Sequence, residues 1–275
     1  MKGKARKTGE TSSSSCETDS CGSDGDIGSV LDVDFEFFSP RLSDVCTLRN
    51  LLRQLMGPDS DGLDLSGLSE LVVSQTLVGS TVKMDGIEGS PLAFLSVLNL
   101  NYYCEKEAVQ KIKSYIMSKI SINKEFYEFF CTCYAELGSI GLVLSERLIN
   151  MPIEIVPAMY DMLFEEIEWA LEDKEPYDFS YYIILSRSYQ EMEGQRHLRK
   201  RQRRHQKKTF YFHQEDELFK EKSLYAVRYR YSRCEGSNSA SRSQNIGRQL
   251  QGEIMMISRD KLKEAISELK SIIVQ

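Results

Sequence analysis

Hydrophobic spacing along this chain switches repeatedly between a helical period and short apolar runs, and this alternation constrains the fold more than any other feature. After Pro40, Val45, Leu48, Leu51, Leu52, Leu55 and Met56 form one helical stripe, with Ser43 as the expected N-cap. Gly57-Pro58 ends that helix, and Leu65, Leu68, Leu71 and Val72 predict a second, capped by Asp64 or Ser66. Val78 to Met84 and Leu92 to Leu100, separated by a turn at Asp85-Gly86, read as two strands of a hairpin or its near equivalent. Val109, Ile112, Ile116 and Ile120 line a third helix; Phe126, Phe129, Phe130, Cys133 and Tyr134 line a fourth. Ile140 to Leu144 fits a buried strand, and Val156, Tyr160, Leu163, Phe164, Ile167 and Leu171 mark a long helix. The last third reads as mostly β. Tyr181 to Leu185 is a central strand, Tyr225, Val227, Tyr229 and Tyr231 alternate with Ala226, Arg228 and Arg230, and Ile254 to Ile257 precede a final helix with Leu262, Ala265, Ile266, Leu269 and Ile272 inward.

Helices interleaved with strands, some adjacent in sequence and some not, predict an α/β (α+β) fold with a mixed, partly antiparallel sheet flanked by helices. With 275 residues, 41% of them hydrophobic, the chain can build one large domain. A boundary near residue 105 is the alternative; no linker-like stretch divides Val33 from Leu185, which favours one domain over 31–275. Residues 1–30 hold little that could pack and read as a disordered Ser-rich, acidic tail. In that tail Ser14, Ser23 and Ser29 each precede an acid by three residues, a pattern an acidophilic kinase accepts. Within the domain, 194–208 reads as a flexible basic loop and 234–252 as a polar loop.

The net charge of −6 is an average of opposed segments. Eight Lys or Arg fall within Arg196–Lys208, and without them the remaining residues carry −14. The acids concentrate on the outer face of the long helix, at Asp161, Glu165, Glu166, Glu168, Glu172 and Asp173. Such a body favours cationic partners and disfavours nucleic acid as the main one. Arg199, Lys200, Arg201, Arg203, Arg204, Lys207 and Lys208 form a candidate nuclear import address for an import receptor. Two alternatives remain for that run: RNA binding, with Phe210, Tyr211 and Phe212 stacking on bases, or a solvated loop. The sequence predicts neither a membrane span nor a secretory signal, and its seven cysteines read as thiols in a reducing compartment.

Catalytic chemistry is not expected. Two of the three histidines, His197 and His205, lie among cations that repel Zn²⁺, His213 lies apart, and Cys131 and Cys133 suit packing better than ligation. No phosphate-cradling glycine motif occurs. Ser145-Glu146-Arg147 closes an apolar strand, but Ser145 has no placed base, so an ion pair or cap involving Glu146 and Arg147 is the expected role. No catalytic, cofactor or metal residues are therefore assigned.

Several segments in order resemble one family. Gly141 to Asn150 (GLVLSERLIN), followed by Pro152 and IVPAMY at 155–160, is similar to the signature of the BCCIP/Bcp family. Leu92–Leu100, Tyr182–Ser188, Glu215–Tyr231 and Glu253–Leu269 resemble further segments of it. The resemblance implies a non-enzymatic nuclear protein that shuttles to the cytoplasm, and a GNAT-like fold. It implies a chaperone and export factor for a basic ribosomal protein of the large subunit, supporting ribosome assembly. A scaffold in DNA repair and cell-cycle control, binding a recombination mediator or a cyclin-dependent-kinase inhibitor, is the alternative. A GNAT-type acetyltransferase is the second alternative. Its pyrophosphate loop finds only a poor match, at Gln244 to Gln249. Asp161, Glu165, Glu166, Glu168, Glu172, Glu146 and Arg147 are the candidate partner-binding residues. The Arg-rich loop and the Ser-rich tail depart from the family pattern.

Overall fold

Two of the apolar runs form the middle of an eight-stranded sheet, because both of their faces are covered by helices. The computed structural model describes residues 34–135, 140–191, 209–232 and 248–274. The expected tail, the basic loop with its import residues, and the polar loop up to residue 247 lie outside the described residues. The strands are β1 (Glu36–Phe38), β2 (Ser80–Lys83), β3 (Ala93–Asn99), β4 (Ile140–Arg147), β5 (Tyr181–Glu191), β6 (Thr209–Tyr211), β7 (Tyr225–Tyr229) and β8 (Arg248–Ser258). The helices are α1 (Val45–Met56), α2 (Leu65–Ser74), α3 (Glu107–Ile120), α4 (Lys124–Ala135), α5 (Ile155–Glu172), α6 (Glu215–Lys222) and α7 (Arg259–Ile273).

The sheet runs β1-β2-β3-β4-β5-β8-β7, with β6 also on β5. Every described pairing is antiparallel except β4 with β5. Side chains alternate between two cores. Leu142, Leu144, Ile183, Ile254 and Met256 face α1 to α4, whereas Val143, Tyr182, Ile184, Met255 and Ile257 face α5 to α7. A strand covered on both sides needs no polar face, which is why β4, the first half of β5 and the second half of β8 read as continuous apolar runs.

Several local expectations change. Ser43 does not cap α1; it sits in a 3₁₀ turn, where the Asp44 carboxylate accepts the Arg41 N–H at 3.0 Å. Asp64 rather than Ser66 caps α2, accepting from the Gly67 N–H at 2.9 Å. Ile272 faces solvent, since α7 turns Leu262, Ala265, Ile266 and Leu269 inward and ends with Ile273, not Ile272, against the core. The polar loop expected to reach residue 252 ends earlier, because Arg248–Gly252 already pair with β5 from Glu191 back to Arg187. A long partner strand supplies the ladder there, and tertiary pairing overrides weak strand propensity.

Candidate functional site

The parallel pair β4–β5 runs in register from Ile140↔Tyr181 to Val143↔Ile184 and then opens. Beyond the opening, β5 takes β6 as neighbour at Ser188–Gln190. The same register carried forward would set Glu146 beside Arg187, and the two side chains do bridge the gap at 2.8 Å. Residues 212–216 plug the opening. The Phe212 N–H bonds the Arg187 carbonyl, and His213 Nε2 lies 2.6 Å from Glu146 Oε1. That oxygen also accepts from Gln54 of α1 and the Arg147 N–H, each at 3.1 Å. Facing a carboxylate that accepts from every neighbour, Nε2 carries the proton and donates. Next to this, the Arg147 guanidinium grips both oxygens of Glu215 in a fork. Asp216 accepts the Ser186 hydroxyl at 2.5 Å. Burial first, then the Glu215 charge, push the Asp216 carboxyl up to about 7, against the opposing pull of His213 and the Ser186 hydroxyl.

Glu146 and Arg147 thus form buried ion pairs, the role their place at a strand end suggested. Removing charges from water costs several kcal/mol per ion, so the cluster persists only because each member is paired. His213 and Ser186 are bonded to different carboxylates, and the hydroxyl–imidazole pair of a nucleophilic site is not assembled. At the mouth of the plug lies a cleft of about 370 Å³, lined by Gln54, Leu148, Ile149, Asn150, Arg187, Phe212 and His213. The Phe212 ring covers the Arg187 guanidinium at 4.7 Å.

The three aromatics after the basic loop are half-buried and each has a neighbour within the fold. Phe210 stacks on Tyr189 at 5.3 Å, Phe212 on Arg187, and the Tyr211 hydroxyl donates to Glu253 at 2.7 Å. The candidate acetyl-CoA loop falls outside the described residues at 244–247, and Arg248 and Gln249 start β8.

The acids of α5 have unequal roles. Lys270 and Lys263 of α7 pair with Asp161 at 2.6 Å and Glu168 at 3.0 Å. Glu166 is half-buried and accepts the Gly79 N–H at 2.8 Å; burial pushes its carboxyl up. Glu165 and Glu172 are exposed and pair with no cation among the described residues. Beside them stand Trp169, 61% exposed, and the exposed Asp173 and Glu175. The helix stops with Lys174 in the left-handed region, φ 62°, while the Glu175 N–H returns to the Ala170 carbonyl at 2.9 Å.

Sequence alone assigns no role to Arg187 or Gln54, and it offers Phe212 only for base stacking and His213 only as a metal ligand that is not expected. One signal was present: a lone Arg inside the apolar run Tyr181–Tyr189, as far from Tyr181 as Glu146 is from Ile140.

Known proteins match this chain over most of its length. A family model described as BCCIP covers residues 30–219. The chain belongs to the BCCIP family. "Protein bcp1" of Aspergillus oryzae is 41% identical over 255 residues, spanning 89% of this chain and 88% of that protein. The Schizosaccharomyces pombe protein of the same name is 37% identical over 254 residues, spanning 88% and 90%. The crystal structure of BCP1 from Saccharomyces cerevisiae superposes with a TM-score of 0.64 at 26% identity, over 90% of this chain and 92% of that one. In this BCCIP-family chain, the segment Gly141–Asn150 is β4 together with the rim of the cleft, so the quoted motif and the ion cluster are one place. The GNAT likeness is not among these findings.

Proposed function

We propose that this BCCIP-family protein is a non-enzymatic carrier that shields a highly basic client, a large-subunit ribosomal protein, until assembly. One observation supports it most. From Glu154 to Asp178 the chain holds nine acids and a single cation, Lys174, and the α5 helix within this stretch contains no Lys or Arg. Its exposed end presents Glu165, Glu172, Asp173 and Glu175 around Trp169, whose ring face accepts a cationic side chain. A free ribosomal protein condenses on any RNA nearby; a surface of this sign occupies its cations and still releases them. The import address at Arg199–Lys208 delivers the carrier to the nucleus, from which it shuttles.

The test is a pull-down of purified large-subunit ribosomal proteins at stepped salt. Glu165→Lys, Glu172→Lys and Asp173→Lys together are expected to abolish capture at physiological ionic strength. Glu166 and Glu168 are poor choices for reversal, because Gly79 and Lys263 already use them. Capture that survives both the triple reversal and high salt would defeat the proposal.

A further inference from the structure

We propose that the cleft at the mouth of the β4–β5 opening is a docking pocket for a short peptide segment in which a large apolar side chain stands beside a carboxylate. Three features of the lining carry this. Leu148, Ile149 and Phe212 give apolar walls, and Ile149 stands 75% exposed at the rim with no part in either core. A large exposed aliphatic next to a concave apolar surface marks a recognition site more often than a solitary surface residue does. Polar groups are few: the Gln54 and Asn150 amides, the Arg187 guanidinium and the His213 imidazole, whose Nε2 is turned to Glu146.

The sign of the charge selects the occupant. Glu146 is behind the lining with no exposed side-chain surface, and both of its oxygens are already engaged, by Arg187 and by His213 with Gln54. Arg187 lines the cleft beside His213; Glu146 holds one of its guanidinium nitrogens, its Nε is enclosed, and the side chain keeps 11% of its surface open. An incoming carboxylate meets a cation there; an incoming Lys or Arg meets repulsion. The pocket is therefore complementary to the opposite class of partner from the α5 surface. It is also pre-formed. Its floor is tied by paired buried charges to the ends of two central strands, so little ordering is left to offset on binding.

The experiment pans a random dodecapeptide phage library against the full chain, with counter-selection on an Ile149→Glu variant. Enriched peptides are expected to place Leu, Ile, Met, Phe or Trp within a few residues of Asp or Glu. Measured by fluorescence anisotropy, such a peptide should lose affinity about tenfold or more with Ile149→Glu and severalfold with Asn150→Asp, from lost apolar contact and added repulsion. Both positions are exposed, so unfolding midpoints should match the parent. The α5 triple reversal should bind the same peptide unchanged, which separates this site from the client surface. Enrichment of Lys/Arg-rich peptides, indifference to Ile149→Glu, or a dimer of this chain that Ile149→Glu dissolves would overturn the assignment.

Discussion

Lys83 has no exposed surface, and its ammonium donates to Asp44 at 2.8 Å and to the Ile87 carbonyl at 2.8 Å. A charge in that position is tolerable only with its partner. Lys83→Met should leave Asp44 uncompensated and cost about 3–5 kcal/mol, while Lys83→Met with Asp44→Leu should recover most of the loss. Urea unfolding of the two singles and the double measures the coupling, and additive losses would contradict it. Asp216 makes a second prediction through pH. Its carboxyl titrates at about 7 when folded, against roughly 3.9 for an unfolded Asp. The native state therefore holds this proton more tightly, so its stabilising contribution is full below about pH 4 and is lost as pH rises through about 7. Asp216→Asn, neutral throughout, should gain on the parent as pH climbs from 5 to 8. A constant difference in urea midpoint across that range would show that Asp216 is ionised in both states.

The elements that periodicity predicted are those whose packing is one-sided and long. α3 buries Val109, Ile112, Ile116 and Ile120, every one named by its spacing. α6 was illegible, because Glu215–Lys222 offers only two apolar residues, Leu218 and Phe219, and helical spacing needs a longer stripe. It forms because Phe219 packs edge-on against Tyr160 at 5.5 Å and its buried acids meet Arg147 and Ser186. β6 is three residues long and is set by its pairing with β5 rather than by its own composition. The site was legible in the same uneven way. Glu146 and Arg147 stood out at a strand end, yet their partners lie 41 and 68 residues further along the chain, and a charge in sequence carries no mark of burial. At the sheet's far side, Gly252 of β8 faces Tyr229 of β7, whose ring lies where a β-carbon would be. The ring cannot swing away freely, since its hydroxyl is bonded to that of Tyr115 at 2.9 Å. Gly252→Ala should cost about 1–3 kcal/mol by overpacking, read as a lower urea midpoint with an unchanged slope. A neutral result would mean that β7 and β8 can separate cheaply.

Over the whole molecule the question is why so much negative charge is kept on α5. A helix presents its negative dipole end at its C-terminus, and carboxylates there are repelled by the unbonded carbonyls as well as by one another. Glu172 and Asp173 occupy that end, and the last turn of α5 contains no basic residue. Lys174 follows in a backbone conformation that an L side chain enters at a cost. A surface selected for folding alone would be arranged the other way. Glu172→Lys with Asp173→Lys should therefore raise the thermal midpoint, by about 2 °C at low salt, and the gain should shrink as ionic strength screens the exposed charges. If α5 is the client surface, the same double variant captures less basic protein while folding better. Loss of binding together with loss of stability would mean that the charges hold the fold, and their role in shielding a client would then have no support.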